Sequence, residues 1–230
     1  KRYVFHESGT LVSGIIGGLY SSTATISVLA RKSRKASEQE ATDYVAAMLL
    51  AVSMMFLRFM ILILIFSREI FLSIYPYLLT MAVVAAIVAW FIHSRQKRSN
   101  DQPVEEEEDD SSNPLEFKVA LIFAVLFVIF TFLTHYTLVY AGTGGLNLLS
   151  FVSGFSDITP FILNLLQNTG SVAALIITAC SMQAIISNIM VNMFYALFFA
   201  GKGSKLRPWI LGGFGVVIAC NLVLLLFFYI

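Results

Sequence analysis

One carboxylate lies deep within an apolar stretch of this chain. It is Asp157, in Ser153-Gly154-Phe155-Ser156-Asp157-Ile158-Thr159-Pro160. An ionised carboxylate in hydrocarbon costs on the order of 3 kcal/mol by insertion scales, so such a residue is expected to face a cavity or a partner. Read as helix, Ser153, Asp157, Pro160, Asn164 and Gln167 recur at spacings of 4, 3, 4 and 3 and form one polar stripe. The competing reading makes Asp157 the N-cap of a half-helix, because Ser-Asp-x-Thr-Pro is good helix-start chemistry. The two are compatible, since a helix that starts at membrane depth exposes N–H groups that also bind ligands.

A second cluster is Tyr20-Ser21-Ser22-Thr23-Ala24-Thr25, after Gly17-Gly18. Its hydroxyls can satisfy backbone groups freed by a helix break, or coordinate a dehydrated solute. Gly14, Gly18, Ser21 and Thr25 would share one helical face, which also suits close packing through small residues. Arg58 sits between Phe56-Leu57 and Phe59-Met60, too deep to snorkel easily to either membrane face. The deep anion available to it is Asp157, so a contact between the two is expected, direct or through a site. A site holding both signs would suit a zwitterion, an anion, or a cation coupled to protonation of Asp157. Ser181, Asn188 and Asn192 share a face elsewhere, where Asn side chains either join membrane helices or line a solute path.

Other chemistries find no residues. His6, His93 and His135 are scattered without metal-ligand spacing, so no metal can be assigned. Neither a Walker motif nor a Ser-His-Asp set can be drawn. Cys180 and Cys220 lie inside apolar runs and read as small core residues. Neither an enzyme nor a cofactor is expected, and a net charge of +1 gives no basic excess for nucleic acid.

These residues need elements to hold them. With 58% hydrophobic residues, 13% charged residues and a mean hydropathy of +0.81, the 230-residue chain has too little polar surface for a water-soluble globule. An all-α, polytopic membrane fold follows. A bilayer core of roughly 30 Å takes about 20 apolar residues as helix. Five segments meet that length: Ala46 to Phe66, Phe71 to Ile92, Phe117 to Tyr140, Val172 to Phe199 and Trp209 to Ile230. Gly9 to Ala30 and Leu146 to Leu166 are long enough but crowded with Gly, Ser and Thr, as broken or re-entrant helices would be. Residues 95–114, with HSRQKR running into them and EEEEDD following, read as a charged flexible linker.

The chain also repeats itself. Ile15–Thr23 aligns with Phe151–Thr159, Ala51–Phe59 with Ala184–Asn192, and Pro76-Tyr77 with Pro208-Trp209. This divides it into a first repeat, 1–94, and a second, 115–230. The second begins with an additional helix, so a helix is expected upstream of Lys1 in a longer protein. If both Gly/Ser-rich segments dip in and return, nearly every Lys and Arg falls on one side, with Arg68 opposite. That asymmetry favours two inverted repeats with broken segments meeting near the midplane. Two full-length broken helices would instead give parallel repeats.

The stretch SGIIGGLYSSTATISVLARKSRK, then MMFLR, then Asn113-Pro114-Leu115-Glu116-Phe117-Lys118, and finally SGFSDIT resembles the C-terminal membrane domain of MgtC/SapB-type bacterial inner-membrane proteins. Thr159 stands where that pattern has a second acidic residue, which weakens a divalent-cation site. The resemblance implies a multi-pass protein of the bacterial plasma membrane with an upstream MgtC-like membrane domain. From the residues, the leading functional expectation is a transporter of a small ion or polar solute. Its site would comprise Ser21, Ser22, Thr23, Thr25, Asp157, Thr159, Asn164 and Asn188, with Arg58 as charge partner. The alternative is a non-transporting membrane regulator or partner-binding subunit related to MgtC and the physiology of Mg2+ limitation. Homo-oligomers are compatible with either.

Overall fold

The computed structural model describes residues 9–34, 36, 40–95, 115–155, 157–167, 173–201 and 204–229. The expected linker lies outside them beyond Arg95, as do Lys1 and Arg2. The described residues form helices and no strands: α1 Gly9–Lys32, α2 Glu40–Phe66, α3 Arg68–Ser94, α4 Leu115–Ser153, α5 Ile158–Gln167, α6 Ala174–Ala200 and α7 Arg207–Tyr229. By length and composition α1, α2, α3, α6 and α7 can each cross a membrane. Large apolar side chains such as Trp90, Phe132, Tyr140, Leu226 and Phe227 are exposed around the bundle. In water that shell would be a liability; in lipid it is the required solvent-facing surface. The protein is a multi-pass helical membrane protein.

Two helices are broken, α1 inside its Gly/Ser-rich segment and α4 at Gly142, just before the segment that begins at Leu146. In α1, Ser21 has extended backbone (φ −156°, ψ 109°). A Cβ on Gly17 would stand 2.5 Å from the Thr25 hydroxyl, whereas eight residues of straight helix rise about 12 Å. The chain therefore doubles back at Ser21. In α4 the break is at Gly142, whose φ of 59° suits glycine. A Cβ on Gly145 would meet Thr137 and Ala141, so residues 143–153 fold back along the preceding span. A further break, at Gly154, Phe155 and Asp157, separates them from α5.

Cross-helix partners give the directions. Gly14 abuts the backbone of Ala47, Gly18 that of Ala51, and the Ser22 hydroxyl donates to Met55 Sδ at 3.4 Å. Partner numbers rise together, so the first half of α1 runs parallel to α2, and glycine lets the backbones touch. In the same manner Cys180 Sγ donates to Asn147 Oδ1 (3.4 Å), Ser150 donates to Gln183 Oε1 (2.9 Å), and Asn188 Nδ2 donates to the Gly154 carbonyl (3.2 Å). Residues 143–153 are thus parallel to α6. Helix α5 returns alongside the first part of α4, through Asn164 Nδ2 to Thr131 Oγ1 (2.8 Å) and the Phe130–Phe161 ring contact.

Helices α2 and α3 form an antiparallel hairpin about Ser67, fastened by Asp43–His93 (2.7 Å), Ser53 Oγ to the Ala82 carbonyl (2.8 Å), and Phe56 against Tyr77. Tyr77 donates to Asn221 of α7 at 2.5 Å. Arg34 donates to the carbonyls of Phe198 and Phe199, and Arg31 covers the Phe199 ring at 4.3 Å. The end of α1, the start of α2 and the end of α6 therefore share one end of the bundle, and α2 and α6 are antiparallel. The packed centre comprises side chains such as Met48, Phe56, Phe59, Phe161, Ile185 and Phe214, all fully buried.

Three expectations need correction. The stripe from Ser153 to Gln167 is not one helical face, because the break at Gly154, Phe155 and Asp157 interrupts it. The face Gly14, Gly18, Ser21, Thr25 is likewise cut at Ser21; the α2-facing set is Gly14, Gly18 and Ser22. The Pro76 and Pro208 pair occupies unequal places, since Pro76 lies inside α3 while Pro208 is in the first turn of α7.

Candidate functional site

The breaks at Ser21 and before α5 carry their own caps. The Ser21 hydroxyl accepts from the Ala24 N–H at 3.3 Å and so starts the second half of α1. Asp157 Oδ1 accepts from the Thr159 N–H at 2.9 Å and starts α5, as the N-cap reading expects. Arg58, on α2, joins the two. Its Nη1 donates to the Tyr20 carbonyl (2.6 Å), at the C-terminal end of the first half of α1. Its Nη2 donates to Thr159 Oγ1 (3.3 Å), in the first turn of α5. At the Tyr20 carbonyl the cation is favoured by hydrogen bonding and by the helix dipole, whereas the dipole at the start of α5 opposes it.

Between the breaks lies a cavity of about 320 Å³. Ser21, Ser22, Thr23, Ala24 and Ser27 of α1 form one wall, and Phe155, Asp157 and Ile158 another. Arg58 of α2 and Asn188 and Val191 of α6 complete it. Asp157 is exposed, whereas Arg58 is half-buried and its Nε is buried without a hydrogen-bond partner among the described residues. The direct Arg58–Asp157 ion pair is not formed: among the described residues the ion pair within 4.0 Å is Asp43–His93. The two opposite charges line one cavity separately. Through helix starts, hydroxyls, a guanidinium and a carboxylate, it offers donors and acceptors of both signs at the depth of the breaks.

Residues 1–200 match the family described as "Domain of unknown function (DUF4010)". The chain belongs to that family. It is also 25% identical over 224 residues to an "Uncharacterized protein" of Aquifex aeolicus (strain VF5), covering 96% of each chain. No solved structure matches. These matches support a domain of unknown function, and neither of them names the MgtC/SapB type.

Of the residues singled out in this DUF4010 chain, Ser21, Ser22, Thr23, Asp157, Asn188 and Arg58 line the cavity together. Thr159 stands at its edge on Arg58. Two are placed elsewhere. Thr25 packs on Gly17 inside the fold of α1, and Asn164 bonds Thr131 on α4. Asn188 also serves as a fastener: besides Gly154 it holds Asn192, whose Nδ2 donates to Asn188 Oδ1 at 3.1 Å. Ser181 is fully buried and does not line the cavity. The wall residues Ala24, Ser27, Phe155, Ile158 and Val191 were missed. Ser27 lies one helical turn beyond Thr23 and donates to its carbonyl (2.8 Å), a spacing that marks it. Val191 has no signal in sequence, because an apolar residue on an apolar helix becomes a wall only through packing. Both cysteines are free thiols.

Proposed function

We propose that this chain is a transporter of a small ion or polar solute, with its site at the two helix breaks. In this reading α1 and the pair formed by residues 143–153 and α5 are re-entrant hairpins. They enter the bilayer from opposite faces within two inverted repeats, and their tips meet near the midplane. The observation that carries the proposal is the cavity between the breaks, lined from both halves and holding Arg58 and Asp157 unpaired with each other. Irregular backbone at membrane depth is tolerated where it lines such a cavity.

Three further features support the arrangement. In each half the entering half-helix pairs with the following long helix in parallel, through partners 33 residues apart: Gly14 with Ala47, Gly18 with Ala51, Asn147 with Cys180, and Ser150 with Gln183. Second, α2 and α6 run in opposite directions, as inversion requires. Third, Arg31, Lys32, Arg34, Lys205 and Arg207 adjoin one end of the bundle while Arg68 follows the turn at the other, the asymmetry of a cytoplasmic and an outer face. With a bacterial relative, this favours the plasma membrane of a bacterium.

Solute flux in proteoliposomes tests the proposal. Wild type is expected to pass solute above protein-free vesicles, and Asp157→Ala to lose most of that flux. Equal flux for both removes Asp157 from the mechanism. If wild type passes nothing, the regulatory reading takes over. Its own mark is full cellular function in Asp157→Asn and Ser21→Ala.

A further inference from the structure

Within that transport reading, on which this inference rests, the charges around the cavity narrow the solute. Arg58 directs its two terminal nitrogens to neutral acceptors, Tyr20 and Thr159, and leaves Nε buried and unpartnered among the described residues. Asp157 uses Oδ1 on the Thr159 N–H and is exposed at the cavity. Neither charge neutralises the other at contact distance. The start of the second half of α1 adds N–H groups and the hydroxyls of Ser21, Ser22 and Thr23 on the same wall. Asp157 already offsets the partial positive charge at the start of α5.

Formally the lining is neutral, one cation against one anion. A monovalent anion or cation entering it would leave one charge uncompensated among these walls, which costs more there than in bulk water. A solute with both signs leaves none. Phe155, Ile158 and Val191 supply an apolar strip beside the polar walls, able to accept a short aliphatic or aromatic group. The volume, about 320 Å³, is at the small end of small-molecule sites.

We propose that the cavity binds a small zwitterion of the amino-acid type. Its acid group lies against Arg58 and the start of the second half of α1, and its ammonium against Asp157.

The test uses the full chain in nanodiscs and equilibrium binding of each common amino acid. Each is compared with its deaminated acid and its decarboxylated amine, and chloride and inorganic phosphate are included. At least one amino acid is expected to bind about tenfold or more tightly than both its single-charge analogues, the effect of one charge-assisted hydrogen bond. Asp157→Asn should remove that preference over the deaminated acid, because the lining then carries the Arg58 charge alone, and the acid's own affinity should rise rather than fall. Asp157→Ser, which keeps a helix cap for Thr159 but no charge, should behave as Asp157→Asn and guards against misfolding. Arg58→Gln should weaken amino acid and acid alike. Chloride, phosphate or a deaminated acid binding wild type as tightly as every amino acid overturns the proposal in favour of an anion site. An amine doing so overturns it in favour of a cation site. Amino-acid binding without flux keeps the ligand class and defeats transport; flux of another solute without amino-acid binding defeats only the ligand class.

Discussion

Arg58 and Asp157 show how two opposite charges line one cavity without forming an ion pair. Arg58 is held by a helix-end carbonyl and a hydroxyl, Asp157 by a backbone N–H. The Tyr20 carbonyl and the Thr159 N–H are groups that a helix break releases, so each charge is stabilised in part by the irregularity beside it. For Asp157 this separates structure from charge. Asp157→Ala leaves the Thr159 N–H uncapped and should lower stability by about 1 kcal/mol. Asp157→Ser restores an acceptor and should recover most of that loss. Thermal unfolding in detergent, with both variants beside wild type, checks the difference. If serine is as unstable as alanine, the cap is not what Asp157 contributes. That Asp157 would be special was legible from its place in an apolar run. That Tyr20 would offer its carbonyl to Arg58 was not, because a backbone acceptor has no sequence signature.

At the scale of elements, the glycines divide by what they touch. Gly14 and Gly18 bring the first half of α1 onto the α2 backbone, and a Cβ at Gly18 would stand 2.5 Å from the Ala51 Cα. Backbone cannot yield as a flexible side chain can. Gly18→Ala should therefore cost about 1–3 kcal/mol through overpacking. Gly212, on α7, borders open space: a methyl group there would have no neighbour within 4 Å among the described residues. Gly212→Ala should be neutral, or stabilising by about 0.5–1 kcal/mol through helix propensity. Parallel melting curves of the two variants test this, and equal shifts would refute the close approach of α1 to α2. The long apolar helices were readable within a few residues because hydropathy and length are local properties. The breaks were readable as composition, but their exact registers were not. Ser21 rather than Gly17-Gly18 takes the extended backbone, since the glycines are needed for contact with α2 and Thr25.

For the whole molecule, the antiparallel relation of α2 and α6 sets which loops share a side. Cysteine labelling in a Cys180→Ala, Cys220→Ala background reads it directly. Ala36→Cys and Ser204→Cys, at the end joined by Arg34 and Phe198–Phe199, should react from the same face of the membrane. Ser67→Cys, at the α2–α3 turn, should react from the opposite face. Impermeant maleimide on intact cells is expected to reach Ser67→Cys and spare the other two. Labelling of Ser204→Cys together with Ser67→Cys would contradict the inverted arrangement.

What the amino-acid order by itself determined was the solvent and the parts. The apolar content demanded lipid, the run lengths set the helices, and Gly, Ser and Thr in two of them announced interrupted backbone. Each of these depends on residues close together along the chain. Tertiary structure alone decided that Ser21 and Asp157 come near one guanidinium, that Thr25 and Asn164 turn to packing, and that Val191 closes a wall. Those outcomes depend on which helix faces meet across more than a hundred residues, and in lipid that choice rests on shape and a few hydrogen bonds rather than on any pattern of hydrophobicity.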